Sequence, residues 1–212
     1  RLHFLNRRRR RLGLSTVLGQ ILFQAGIVPG LKIYARNRIA ENQKLYKLDL
    51  TPIRDRKIQK GDSVNSQQTR QILQRSQPDL VVVHGTRIIS QATLDSAACP
   101  WVNLHAGITP PYRGTHGAYW TLYEGRPECC GVTLHRVDSG IDTGDILAQQ
   151  CFAPSPGDNF VTYPWTQLGL GLELLKSFLA NPSEPTRPSG PSGLYYHPTM
   201  LQYLKGLLRG VH

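Results

Sequence analysis

Cysteine is scarce, with Cys99, Cys129, Cys130 and Cys151 the only four in 212 residues, and no two of them form a C-x-x-C pair. Structural zinc is thereby disfavoured and no metal site is expected. Without a disulfide framework, the four read as reduced packing residues of a cytoplasmic protein. Acidic residues are also few, 14 Asp and Glu against 25 Lys and Arg, giving a formal net charge of +11. This balance favours anionic partners: a phosphorylated metabolite, a polyglutamate tail, nucleic acid or an acidic membrane surface. No long unbroken apolar run is present. The stretch Leu12 to Val28 is interrupted by Ser15, Thr16, Gln20 and Gln24, so no transmembrane segment is expected. No convincing small-residue cleavage site follows it either, which argues against a secretory signal. There is no internal repeat. The 20 glycines and 15 prolines are spread along the chain, which excludes collagen-like and globally disordered readings.

What remains is a globular chain of a length suited to one large domain. We expect residues 1–212 to form a single domain, with a basic helical region over 1–45 and a tail over 182–212. The arginine block Arg7–Arg11 reads as a solvated face, with contact to nucleic acid or an anionic membrane as the functional alternative. Leu14, Val17, Leu18, Ile21 and Leu22 recur at helical spacing, which predicts one buried face. That helical region is expected to extend to about Gln43 with a break near Pro29-Gly30, before a short strand over Lys44 to Leu50.

Further along, a helix is expected over about Ser66 to Gln74. The run Leu80-Val81-Val82-Val83 predicts a buried strand, and Trp101 to His105 another. A helical turn near Ser90 to Ala98 lies between them. A helix over 116–124 and strands over Gly131 to Arg136 and Asp145 to Phe152 follow, then a long helix from Thr162 to Ala180 and a short one in the tail. Helices alternating with buried strands predict an α/β fold with an open, mostly parallel twisted sheet and helices on both faces. In such sheets ligands bind beyond the carboxyl ends of strands.

Asn103 and His105 lie two apart on a predicted strand, so their side chains share one face next to the Gly/Pro-rich loop Ala106 to Pro111. Taken alone, they read more readily as a turn asparagine and a locally hydrogen-bonded histidine than as a catalytic pair. Their context is Val102-Asn103-Leu104-His105-Ala106-Gly107, then Pro111-Tyr112-Arg113-Gly114, then Asp138-Ser139-Gly140-Ile141-Asp142-Thr143-Gly144-Asp145. In order and spacing this resembles the folate-dependent formyltransferases. Upstream, His84 to Ser90 looks like the loop that holds the pterin ring in that family.

The resemblance implies a Rossmann-like fold and transfer of a formyl group from 10-formyltetrahydrofolate to an amine. It implies Asn103, His105 and Asp142 as the catalytic residues. Arg87, Ile88 and Ile89, with Asp138, Gly140 and Ile141, would contact the folate. Asn103 and His105 would stabilise the oxyanion of a tetrahedral intermediate, and Asp142 would favour a protonated His105. Acceptors in the family are a glycinamide ribonucleotide, initiator methionyl-tRNA or nucleotide-linked amino sugars, and an amino sugar is favoured here. The family normally opens on a strand and a glycine turn, which are not evident in Arg1 to Phe4, so two readings stay open: the first strand is missing from this sequence, or the acceptor site is built differently. Two alternatives stay open: a formyltetrahydrofolate hydrolase, and a non-catalytic basic protein that binds nucleic acid or membrane.

Overall fold

The computed structural model describes residues 9–53 and 58–212. Arg7 and Arg8 of the arginine block lie outside the described residues.

Four strands form the main sheet: β1 (Val81–Val83), β2 (Trp101–His105), β4 (Gly131–Arg136) and β5 (Ile146–Cys151), in the order β1-β2-β4-β5. β1 and β2 are parallel, while β2–β4 and β4–β5 are antiparallel. The expected α/β fold is present, but its sheet is mixed rather than mostly parallel. The strand that runs against the others is β4; the Asp138–Gly144 turn after it is too short for a helical crossover, so β5 must return antiparallel to β4. A small parallel pair, β3 (Arg113–Gly114) with β6 (Leu194–Tyr195), lies apart from the main sheet.

Side-chain alternation gives the sheet two different faces. Val102 and Leu104 point to one side, where they join Leu134 and Leu147 in a core covered by Leu172, Leu175 and Phe178 of the helix Tyr163–Ala180. Gln167 fixes that helix to the sheet by donating to the Gly131 carbonyl at 2.8 Å. Trp101 points the other way, packing with Val83 and Ile89 against Leu73 and Leu94, from helices Gln67–Ser76 and Gln91–Leu94. Asn103 and His105 share this second face. β1 is less buried than its run of valines predicts: Val82 is exposed because the strand lies at an edge of the sheet.

The first helical region differs most from expectation. Helix α1 (Leu14–Leu22) passes through a π-helical turn, Phe23–Ile27, into α2 (Val28–Tyr34), and α3 (Arg36–Leu45) follows. Pro29 causes no break, because it sits in the first turn of α2, where no intrahelical N–H partner is needed. The π turn directs Phe23 into an aromatic cluster, 4.8 Å from both Phe160 and Tyr203. Val17, Gln20 and Phe23 therefore form the buried stripe. Leu14, Leu18, Ile21 and Leu22, expected to be buried with Val17, are 45–60% exposed. Gly19 allows the close approach: a Cβ there would lie 2.9 Å from Thr199, the cap of the helix Met200–Leu207. Among the described residues, only Leu14–Tyr34 is long and apolar enough to cross a membrane by length and composition. No strand forms over Lys44 to Leu50; α3 ends at Leu45 and Lys47 adopts φ 49° in a turn.

α3 is anchored where it meets the long helix. Arg38 pairs with the buried Asp158 at 2.8 Å, and Asn42 donates to Thr166 at 3.2 Å. Asp158 would be lifted by burial alone, but Arg38 and the Ser155 N–H hold it below the usual carboxylate range.

Candidate active site

Asn103 and His105 project from the carboxyl half of β2. The β4–β5 turn leaves the sheet beside Trp101 and folds back over this face, which carries Asp142 to them. Its tightness comes from Asp138, whose carboxylate accepts from the Gly140 N–H at 3.0 Å and the Thr143 hydroxyl at 2.8 Å. Asp142 itself has φ 51°, a left-handed conformation that Asp tolerates better than most residues.

Asp142 is the hub. Its Oδ2 accepts the Gly114 N–H at 2.8 Å and lies 3.3 Å from His105 Nδ1. Its Oδ1 accepts from Asn103 Nδ2 at 3.2 Å and lies 3.5 Å from His135 Nε2. The three sequence-predicted catalytic residues thus meet. Burial alone would raise the Asp142 carboxyl, but the His135 and His105 rings and the Gly114 N–H outweigh it and hold the group below the usual carboxylate range.

His105 is buried and its Nε2 donates to the Tyr112 carbonyl at 2.8 Å. Burial, the largest influence, pushes its imidazole down together with the charges of His135 and Arg113, and outweighs with them the upward pull of Asp142 and that carbonyl. The carboxylate favours the charged ring, as expected, yet burial decides the balance and the ring is neutral near pH 7. With the proton on Nε2, the Nδ1 lone pair faces a carboxylate oxygen. A proton arriving at Nδ1 would turn that repulsion into an ion pair.

His135 was missed by sequence reasoning. It lies opposite Asn103 in the β2–β4 register, and Asn103 Nδ2 is 3.1 Å from its Nε2. Its Nδ1 donates to the Arg136 carbonyl at 2.7 Å, so Nε2 carries a hydrogen only when the ring is charged. Period-two alternation within Thr133-Leu134-His135 puts it on one face, but its alignment with Asn103 depends on a pairing between distant segments. Arg113 also contributes: it donates to the Ile141 carbonyl at 2.9 Å, while its buried Nε has no hydrogen-bond partner among the described residues.

The six proposed folate contacts have different surroundings. Arg87 and Ile88 are exposed on the loop after β1, whereas the Ile89 side chain is buried in the core with Val83 and Trp101. Asn65, another residue missed in the sequence, holds this loop by donating to the Ile88 carbonyl at 2.9 Å and accepting from the Ser90 N–H at 2.8 Å. Asp138 and Gly140 shape the turn, and the Ile141 carbonyl is held by Arg113. His116 belongs to the interior: it contacts His197 at 2.8 Å and lies against Phe160. Among the described residues, no cluster of His, Cys, Asp or Glu is suited to a metal ion.

The Formyl transferase family profile matches residues 37–163, more than half of the sequence. The chain belongs to this family. A methionyl-tRNA formyltransferase of Syntrophus aciditrophicus is 35% identical over 143 residues, covering 66% of this chain and 45% of the relative. Its counterpart in Desulfotalea psychrophila is 40% identical over 82 residues, 38% of this chain and 25% of that one. The chain therefore spans less than half the length of these relatives. Among solved structures, a sugar N-formyltransferase from a Shewanella species superposes with a TM-score of 0.54 at 22% identity, covering 69% of this chain and 65% of the other. At that identity the likeness concerns the fold.

Proposed function

We propose that this chain transfers a formyl group from 10-formyltetrahydrofolate to the amine of a small anionic acceptor, with a nucleotide-linked amino sugar as the favoured acceptor. The observation that carries the reading is the convergence of Asn103 and His105 on the Asp142 carboxylate, in a chain of the formyltransferase family. The donor supplies an electrophilic formyl carbon on a nitrogen that can leave. The residues present suit such a ligand: the partly exposed Asn103 carries an amide N–H that can turn to a carbonyl oxygen.

Asn103 redirects the N–H now facing His135 to the formyl oxygen and stabilises charge developing there. His105 Nδ1 accepts the proton released as the amine nitrogen bonds to the formyl carbon. Asp142 stays ionised and stabilises the imidazolium. As the bond to the folate nitrogen breaks, the proton passes to that nitrogen, giving an N-formyl amine and tetrahydrofolate. We assign the folate to the Arg87–Ile89 loop and the Asp138–Ile141 turn. We read residues 1–212 as one catalytic unit; its four cysteines form no disulfide, which suits a cytoplasmic setting.

The Shewanella enzyme is named for a sugar acceptor and the sequence relatives for methionyl-tRNA, so the test offers both. The chain is incubated with 10-formyltetrahydrofolate and either a nucleotide-linked amino sugar, methionyl-tRNA or no amine, and tetrahydrofolate release is followed by absorbance. Release that requires the amino sugar and is lost in His105→Ala supports the proposal. A requirement for methionyl-tRNA overturns the acceptor, release without amine identifies a hydrolase, and no turnover by the folded chain overturns the catalytic reading.

A further inference from the structure

The net positive charge is concentrated in one region. Residues 1–40 contain eight arginines, one lysine and no acidic residue, so they carry +9 of the chain's +11; residues 41–212 hold 16 basic and 14 acidic residues. Here too α1 and α2 present an open apolar face. Leu14, Leu18, Ile21, Leu22, Ala25, Pro29 and Ile33 recur at helical spacing, and all are exposed. Leu22 is 60% exposed and Ile33 72%. Exposed Arg9, Arg10 and Arg11 stand at one end of this row, and exposed Lys32 and Arg36 at the other.

We propose that this face is a docking surface for an anionic lipid bilayer, with the helix lying in the plane of the headgroups. Charge complementarity identifies the occupant. An aliphatic row bracketed by cations and free of acidic residues matches the boundary between acyl chains and acidic headgroups. A nucleic-acid surface would use the arginines and leave the leucines in water. The opposite side of the helix is already engaged. Val17, Gln20, Phe23 and Val28 are buried in the protein, and Gln20 donates to the His197 carbonyl at 2.6 Å. A helix fixed along the body in this way can rest on a membrane without crossing it. Residues 9–12 are also helical and exposed, apart from partly buried Leu12, and Gly13, at φ 83°, separates this basic turn from the helix that carries the leucines.

The inference is independent of formyl transfer, and its test contains no folate. The full chain is sedimented with vesicles of phosphatidylcholine alone, or of phosphatidylcholine with about a third phosphatidylserine, the anionic lipid drawing on basic side chains. Binding is expected to the anionic vesicles and to fall at least about tenfold as ionic strength is raised from about 0.1 M to about 1 M, where the screening length shrinks from about 10 Å to about 3 Å. Leu18→Asp/Leu22→Asp should reduce binding by about tenfold or more through lost apolar burial. Arg9→Gln/Arg10→Gln should do the same through lost charge at two exposed positions, with Arg11, which lies over the Tyr196 ring at 5.5 Å, left in place. Unchanged circular dichroism and melting in each variant qualify it for comparison. Absence of binding to anionic vesicles by the wild type, or binding that survives both sets of substitutions, overturns the proposal. So does a stable dimer that fails to bind vesicles and separates in the aspartate variant, which would assign the face to a second copy, or capture by duplex DNA in place of vesicles.

Discussion

Asp142→Asn changes one oxygen to an amide and leaves the side chain the same size. Asn also tolerates the left-handed conformation found at this position, so the turn should persist. The difficulty is hydrogen-bonding. The carboxylate offers one oxygen to the Gly114 N–H at 2.8 Å and the other to Asn103 Nδ2 at 3.2 Å. An asparagine has one oxygen, so keeping the Gly114 bond points its NH2 at the Asn103 NH2. Losing a charge-assisted bond of this kind costs about 1.5–3 kcal/mol, which for a chain of this size lowers the melting temperature by roughly 3–12 °C. The catalytic loss should be larger. Without the carboxylate, nothing stabilises a proton on His105 Nδ1, and loss of general-base assistance lowers kcat by about 10²–10⁴-fold. Tetrahydrofolate release at saturating donor and acceptor, measured alongside a thermal melt, separates the two effects. A folded variant with kcat within about threefold of wild type would refute the role of Asp142, since general-base loss of the expected kind exceeds that margin.

Acid should destabilise the protein through its buried histidines. His116 is pushed down to about 3 by burial and then by His197, and His105 is also lowered by burial. The unfolded chain therefore binds more protons than the folded one below the ordinary histidine value of 6.5. The stability contributed by neutral histidine is complete above that pH and is lost as pH falls towards the folded values. In His116→Phe the fall in melting temperature between about pH 6.5 and 4 should be shallower; an unchanged slope would remove His116 from this account. Asn65→Ala removes both hydrogen bonds that hold the loop after β1, worth about 1 kcal/mol each, and should raise KM for the folate donor roughly five- to thirtyfold with kcat within about twofold; steady-state kinetics checks this split. Leu134→Ala opens the core between the sheet and the long helix, where Leu134 is fully buried; a loss of about 2–5 kcal/mol is expected, measured by denaturant unfolding.

Several elements were legible because local chemistry and tertiary packing agree. The valines of β1 and the run Trp101–His105 marked strands, and Ser66 starts the helix before β1 by accepting the Thr69 N–H at 3.2 Å. Asn103, His105 and Asp142 were found through motif order, and the fold brings them within hydrogen-bonding or ion-pair distance. The readings that failed depended on tertiary information. Helical spacing marks an apolar face at Leu14, Leu18, Ile21 and Leu22 but does not say which side meets the body; the π turn and the docking of Thr199 against Gly19 decide that. His135 joins the site through strand register, and Asn65 through contact with a loop more than twenty positions away. Ile89 sits beside an exposed Ile88 in the same loop, and only packing distinguishes the core anchor from the surface residue.

Gly114 gives its backbone N–H to Asp142 while its strand is held by the chain's closing segment. Arg113 N donates to the Gly193 carbonyl at 2.9 Å and Thr115 N to the Tyr195 carbonyl at 3.1 Å. A Cβ at Gly114 would strike that Tyr195 carbonyl. During synthesis, Asn103, His105 and Asp142 all emerge long before Tyr195 does. The carboxylate acquires its clamp only once the chain has been made as far as Tyr195, so a shorter nascent chain carries Asn103, His105 and Asp142 without the contact that aligns them.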